Sequence, residues 1–377
     1  MGFRFPIALR AGAVYPVWDV TFEESAFMTR KLFAVMALAL FVLAGSQVRA
    51  GEADGKKKYK LLYISQSKGF VHGSVKRATP ATLAPSEQAV TEIGQETGLF
   101  DVECSQDASL ITADKLKEVD AIMFYTTGNL PINEETFKLF EDWLKSGKAF
   151  IGTHSATDTF GGFKPYFSLI NGTFAGHPWG SGTTVTITNH EPSHPTVKMY
   201  GEEFQIKDEI YQYKNYDPKA VRVLLSLNME KCQPSMPYMV PVAWVRNYGE
   251  GRLFYTNLGH NEGTWKDPKF REHLLMGIRW ALKLEQGPAE PNPDVQAKIE
   301  AASKIAGQKG WVTEVAKAAG KEPAAIVEKF SKAAAADAAY GDSVAKEIEA
   351  FRKIDGKKEA DKKKAEAVRI AESIEKK

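Results

Sequence analysis

The sequence predicts an α/β protein: a mostly parallel sheet with helices on both faces, an antiparallel extension, and a helical C-terminal tail. Three observations carry this. Short apolar runs at residues 60–65 (KLLYIS), 99–104, 121–125 (AIMFY) and 148–152 (KAFIG) alternate with amphipathic stretches, the pattern of parallel strands buried on both faces. From residue 183 onward, five strand-like runs follow one another with little helix between them. Beyond residue 288 the composition turns to Ala, Lys and Glu, which favours helix.

Residues 1–27 fit no part of a targeting signal, so translation is expected to start at Met28 and the upstream stretch to be a mis-annotated extension. Residues 28–50 read as a signal peptide. Thr29, Arg30 and Lys31 form the basic region, LFAVMALALFVLAG the apolar core, and Val48-Arg49-Ala50 the processing site. The apolar run is too short for a confident span, so the mature chain is expected outside the cytoplasm, periplasmic or extracellular, without a stable membrane anchor. A lysine-rich linker (51–59) precedes the compact domain, expected over 60–285. Its helix at 85–97 lies between the first two strands. Asn133, Glu134 and Glu135 open a second helix whose Phe137, Phe140, Trp143 and Leu144 share one face, and Gly147 stops it. The later strand candidates are 184–188, 204–213, 221–227, 240–247 and 252–258. A closing helix at 270–284 buries Leu274, Leu275, Ile278, Trp280 and Ala281. Pro288, Pro291 and Pro293 mark a linker (286–294). In the tail, 295–377, helices are expected at 295–305, 311–319, 323–336 and 343–351, with Gly320 and Gly341 as stops. That tail reads as a solvated helical spacer or small bundle; a module docking a protein partner is the alternative.

Composition narrows the function classes. The 377 residues are 44% hydrophobic and 25% charged, with a net charge of +2. This is ordinary globular composition, with no electrostatic case for a nucleic-acid partner. Export permits disulfides, yet Cys104 and Cys232 read as unpaired, and neither has a partner at metal-ligand spacing.

The chemistry concentrates in the histidines. In KAFIGTHSATD a buried strand runs into a tight turn with His154 at its tip, and Gly152 and Ala156 stand two positions to either side. This is the spacing of a nucleophile elbow, where bulky neighbours would collide. All seven histidines fall between His72 and His273. In an open parallel sheet, ligands bind at the carboxyl ends of strands. His72 follows the first strand, His154 the fourth, and His260 the last; His177 sits in the glycine-rich NGTFAGHPWG. His190 and His194 share a loop, and His273 lies inside the closing helix, where packing is the simpler role. Neutral imidazoles at strand ends serve as base, acid or metal ligand. Asp158, Asp208-Glu209 and Glu262 are the nearby carboxylates. No H-E-x-x-H, Walker or G-x-G-x-x-G pattern is present, so spacing alone supports neither a zincin site nor nucleotide binding.

The stretches KGFVHGS, IGTHSATD, FAGHP, SHP, FQIKDEIY, PVAW, GEGRLFYTNLGH and FREHLLMGIRWAL, spread in that order over residues 60–284, resemble the ThuA-like (trehalose-utilisation) family of the class I glutamine amidotransferase-like superfamily. The resemblance implies a flavodoxin-like sheet with helices on both sides and a role in the uptake and breakdown of disaccharides, including oxidised 3-keto sugars. Related amidotransferases carry cysteine at the elbow and a His-x-Glu pair after a late strand. Here His154 occupies the first position, and His260-Asn261-Glu262 resembles the second. With neither Cys nor Ser at the elbow tip, thioester chemistry is not available.

The resulting expectation is an exported carbohydrate-active protein, a hydrolase or lyase of a disaccharide or keto-glycoside. His154, Asp158 and Glu209 are its candidate catalytic residues. His72, His177, Tyr211, Trp244 and His260 are the candidate sugar contacts, Trp179 being a further stacking candidate. His72, His154 and His177 are candidate ligands of a divalent metal such as zinc. A non-catalytic carbohydrate-binding or scaffold module is the competing expectation; metal storage or delivery is the third.

Overall fold

A computed structural model describes residues 57–235 and 238–377. The expected signal peptide (28–50), the stretch before it, and linker residues 51–56 lie outside the described residues. In chain order the strands are β1 (Tyr59–Ile64), β2 (Phe100–Ser105), β3 (Ala121–Phe124), β4 (Ala149–Thr153), β5 (Thr173–Phe174), β6 (Thr184–Asn189), β7 (Glu203–Lys207), β8 (Tyr213–Lys214), β9 (Arg222–Leu227), β10 (Pro241–Tyr248) and β11 (Gly251–Thr256). Nine of them form one sheet in the order β2-β1-β3-β4-β11-β10-β9-β6-β7, and β5 pairs with β8 separately. The first five of that order run parallel; the remaining pairings are antiparallel. The 2-1-3-4 start is the flavodoxin-like arrangement, in which the crevice lies beyond the carboxyl ends of the strands.

Residues alternate between two cores because successive strand side chains point to opposite faces. Leu61, Tyr63, Met123 and Ile151 pack on one side with Val90 and Ile93 of α1 (Pro85–Thr97). Leu62, Ile64, Ile122 and Phe150 pack on the other with Leu116 of α2 (Ala113–Glu118) and Phe137 and Phe140 of α3 (Glu134–Lys145). The Asn133 side chain accepts the Thr136 N–H at 2.8 Å and so caps α3; Gly147, at φ 108°, takes the chain out of it. After α4 (Lys164–Ile170) and the antiparallel strands, α5 (Pro268–Ala281), capped by Asp267 on the Phe270 N–H, closes the domain. Cys104 and Cys232 are unpaired. No helix among the described residues is long and apolar enough to cross a membrane.

Two expectations need correction. The run 204–213 is not one strand. It leaves the sheet after Lys207, because the Asp208 side chain takes main-chain N–H groups of the 259–261 loop instead of continuing a ladder. The tail also differs in detail. The two helices expected at 295–305 and 311–319 are one, α6 (Pro293–Ala318), followed by α7 (Pro323–Ala336), α8 (Ala338–Arg352) and an unforeseen α9 (Ala360–Glu375). Gly341 lies inside α8 and stops nothing. These helices enclose a core of their own around Trp311, Val312, Phe330, Ile348 and Ile370.

The tail is also fastened to the sheet. The Asn292 amide exchanges two 2.9 Å hydrogen bonds with the main chain of Val223, and Gln296 donates to the carbonyls of Pro218 and Val221. Replacing Asn292 with Ala leaves the buried N–H and C=O of Val223 without these partners. The expected cost is about 1–3 kcal/mol, read as a lower midpoint of denaturant unfolding relative to the parent chain.

Candidate functional site

Four elements deliver one side chain each to the carboxyl edge of the parallel sheet. His72 follows β1, His154 follows β4, His260 follows β11, and Glu209 comes from the excursion after β7. One nitrogen or oxygen from each lies within 4.8 Å of the others. The three imidazole rings are nearly equidistant, with centroids 4.9, 5.0 and 5.1 Å apart, and almost mutually perpendicular at 89°, 85° and 81°. They therefore face a common point rather than stacking.

The tightest part is a triangle of His154 Nε2, His260 Nδ1 and Glu209 Oε1. Its edges measure 3.2 Å between the nitrogens, 3.1 Å from His260 to Glu209 and 3.7 Å from His154 to Glu209. Bonds of about 2.0–2.2 Å to a tetrahedral zinc would set ligand atoms about 3.3–3.6 Å apart. The tautomer of His154 follows from its other nitrogen: Nδ1 lies 2.7 Å from the Asn257 carbonyl, which can only accept, so Nε2 carries the lone pair. His72 Nε2 meets the Tyr211 hydroxyl at 3.1 Å, while its Nδ1 is buried with no hydrogen-bond partner. An unpartnered nitrogen on a ring packed against two other imidazoles has the character of a cation ligand.

The electrostatics agree with that donor set. Burial, then the neighbouring His154 and His260, lower the His72 pKa to about 2, so this ring stays neutral. Burial would raise Glu209, but the His154 and His260 imidazoles beside it more than offset this and hold the carboxyl below its ordinary value. The site thus presents a neutral imidazole and a carboxylate at neutral pH.

The backbone around these groups is built for position. His154 adopts φ 42°, a left-handed conformation unusual for a residue with a Cβ. The Tyr255 hydroxyl donates to its carbonyl at 2.7 Å. A Cβ on Gly152 would come within 2.9 Å of Tyr255 Cδ2 and 3.4 Å of Ala156 Cβ, which explains the small residues flanking the turn. The His260 loop is clamped from four sides. Asp208 accepts from Gly259 and Asn261 at 2.7 and 2.8 Å, Tyr125 and Trp265 donate to the Gly259 carbonyl, and Ser74 donates to the His260 carbonyl. Asn257 adds a pair of side-chain bonds to the main chain of Tyr211.

The remaining candidates take other places. His177, grouped with His72 and His154 as a metal ligand in the sequence reading, stands outside the four-residue cluster. It is half exposed, with Nδ1 at 3.3 Å from the second oxygen of Glu209. Tyr211 supports His72. Asp158 is half buried, and no hydrogen bond to its carboxylate occurs among the described residues; burial raises its pKa, partly opposed by His154. Trp244 is fully buried, stacked on Tyr255 at 4.1 Å with its N–H on the Ile170 carbonyl, and Trp179 is likewise buried with its N–H on Pro234. Both belong to the core. Glu262 is exposed, so Glu209 supplies the centre's carboxylate in place of the second half of the His-x-Glu pattern. Sequence reasoning missed Asp208 and Asn257 as positioning residues. The one signal was Asp208's place beside Glu209.

The chain is thus an α/β protein with an imidazole–carboxylate centre at the edge of a flavodoxin-like sheet. The family described as "Trehalose utilisation", ThuA, matches residues 60–281, and the chain belongs to it. At family level that carries a carbohydrate-related role. A protein from Bacteroides uniformis ATCC 8492 described as ThuA-like shares the fold, with 21% identity and a TM-score of 0.51 over 66% of this chain and 99% of its own. Another, from Parabacteroides merdae ATCC 43184, has 16% identity and a TM-score of 0.45 over 63% of this chain and 99% of its own. No curated protein matches the chain.

Two outcomes follow. Asp208→Ala removes the acceptor for buried main-chain N–H groups of Gly259 and Asn261, at an expected cost of about 3 kcal/mol, measured by denaturant unfolding. The second concerns pH. His194 and His273 are buried and His190 partly so, each in hydrogen bonds, and the loss of solvent lowers each pKa from 6.5 to about 4. The unfolded chain binds protons as pH falls through 6.5, whereas the folded chain does so only near 4. Stability is therefore full above 6.5 and declines as pH falls across that window. Thermal unfolding followed over pH should show this decline, and His194→Asn should flatten it.

Proposed function

We propose that the protein is an exported, metal-dependent enzyme of carbohydrate breakdown, a hydrolase or lyase acting on a disaccharide or keto-glycoside. The observation that carries this reading is the triangle of His154 Nε2, His260 Nδ1 and Glu209 Oε1, with the orphaned Nδ1 of His72 beside it. Three imidazoles and one carboxylate suit zinc or a similar divalent ion. Such an ion, when bound, polarises a carbonyl or hydroxyl oxygen of the sugar and acidifies water. Export rests on the signal-peptide pattern at residues 28–50.

The protein's own groups then divide the work. Tyr211 and the Asn257 carbonyl orient His72 and His154 through their outer nitrogens. His177, exposed on the free oxygen of Glu209, is placed to contact substrate hydroxyls. Asp158 is the uncommitted carboxyl near His154, and its raised pKa suits it to hold and deliver a proton. Glycosidases proper use two carboxylates about the scissile bond. Here Glu209 is engaged by imidazoles, which favours metal-assisted chemistry over the two-carboxylate route.

The test begins with mature protein purified without a histidine tag. Metal analysis should find about one divalent ion per chain, and His154→Ala or His260→Ala should weaken its retention by about 10–100-fold. Turnover of 3-keto disaccharides, followed by product release, should be present in the parent protein and lost in His154→Ala. Absence of bound metal removes the ligand role. Sugar binding that survives His154→Ala, with turnover by neither protein, identifies a binding module instead.

A further inference from the structure

The loop that delivers His72 also carries an apolar pair that folding leaves in water. Phe70 is 65% exposed and Val71 53% exposed, whereas Tyr125 and Tyr211, which also touch the imidazoles, are buried. The exposed ring sits on a fixed backbone. The Lys68 N–H donates to the Thr127 carbonyl at 2.8 Å, and the Gly69 N–H to Thr127 Oγ1 at 3.2 Å. That hydroxyl in turn donates to the Phe70 carbonyl at 2.8 Å. Gly128, at φ 71°, packs so closely here that a Cβ on it would lie 2.7 Å from the Gly69 nitrogen.

The Phe70 ring meets the His72 ring at 4.8 Å between centroids and 79° between planes. An exposed aromatic is thus held at the lip of the imidazole–carboxylate centre. On the Tyr211 side, Phe174 lies 4.4 Å from Tyr211 and stacks on His177 at 5.9 Å and 20°. A ligand entering here meets aromatic surface at the rim and polar nitrogen and oxygen atoms below it. A pyranose ring matches both, with an apolar face of C–H bonds and an edge of hydroxyl or keto oxygens. A rigid aromatic also loses little freedom when it binds.

We propose that Phe70, with Val71 beside it, is the stacking platform for the C–H face of a pyranoside whose oxygens face Glu209 and His260, the part-exposed members of the centre. This rests on the proposed carbohydrate substrate, and it requires neither a bound metal nor turnover.

The experiment is saturation-transfer NMR and affinity titration of the mature full chain with trehalose, maltose, sucrose and cellobiose as probes. The same protein samples are assayed for zinc content and thermal unfolding. For at least one probe, the parent should pass saturation to ring C–H protons. Phe70→Ala should weaken that affinity at least about ten-fold, equivalent to about 1.4 kcal/mol. Phe70→Trp and Phe70→Tyr should keep it within about three-fold, with zinc content and unfolding temperature unchanged in all three. Equal sugar affinity in the parent and Phe70→Ala overturns the proposal, as does binding of none of the four probes by the parent. It is also overturned if Phe70→Ala instead dissociates an oligomer, which would make the pair a self-contact. Should Phe70→Ala fold poorly, loss of affinity in the folded Phe70→Trp and Phe70→Tyr variants overturns it equally. Sugar binding that depends on Phe70 in a chain without metal defeats the metal reading alone; intact metal with sugar binding indifferent to Phe70 defeats this inference alone.

Discussion

Asp208 accepts main-chain N–H groups from Gly259 and Asn261, and through these bonds the end of β7 and the loop after β11 become one unit. Glu209 and His260, the immediate neighbours of those contacts, then meet at 3.1 Å without either lying on a regular element. A carboxylate this deeply buried is costly unless its oxygens are satisfied. For Asp208 the main-chain N–H groups of Glu209, Gly259 and Asn261 do so, and with the nearby His154 they oppose the upward push of burial on its pKa. Had the 204–213 run continued as a strand, the centre would have had no carboxylate. The bonds of Tyr125, Trp265 and Ser74 to the same loop fix its other side, so the geometry is set before any ligand arrives.

The turn at His154 uses an old device for a different atom. Holding a non-glycine residue in a left-handed conformation costs about 1–3 kcal/mol. Tyr255 on its carbonyl and Asn257 on its ring hold it there. In an amidotransferase such a turn would lift a thiolate clear of the sheet. Here it lifts an imidazole whose tautomer is dictated by a carbonyl behind it, and the group presented is a lone pair able to bind a cation.

The parallel half of the fold was legible because each of its strands is a short apolar run closed by a turn. The convergence of His72, His154 and His260 followed from topology alone, since all three stand after strands of one sheet. Glu209 and His177 were harder to rank. Their relation depends on where the chain leaves β7, and residues 204–213 read locally as an unbroken strand. Trp244 misled because it lies in the fully buried first five residues of β10, which show no alternation to separate core from site. In the tail, Gly310 resembles a helix breaker. It is instead a point of close approach, where a Cβ would stand 2.9 Å from Cβ of Ser235. Such contacts between distant segments leave no local trace.

Asn292 gives the tail a meaning that its composition hides. β6 pairs with β9 only from Leu225 to Leu227, so at Val223 the ladder on that side has ended and the Asn292 amide stands in for a strand. During synthesis every strand of the sheet is complete by residue 256, yet this gap stays open until residue 292 and the first turns of α6 have been made. A chain interrupted between those points carries exposed strand edge in its antiparallel half, a template for pairing with other chains. The start of the helical tail is therefore a step of sheet closure as much as it is an appendage, because the edge at Val223 is covered only once Asn292 follows the last strand.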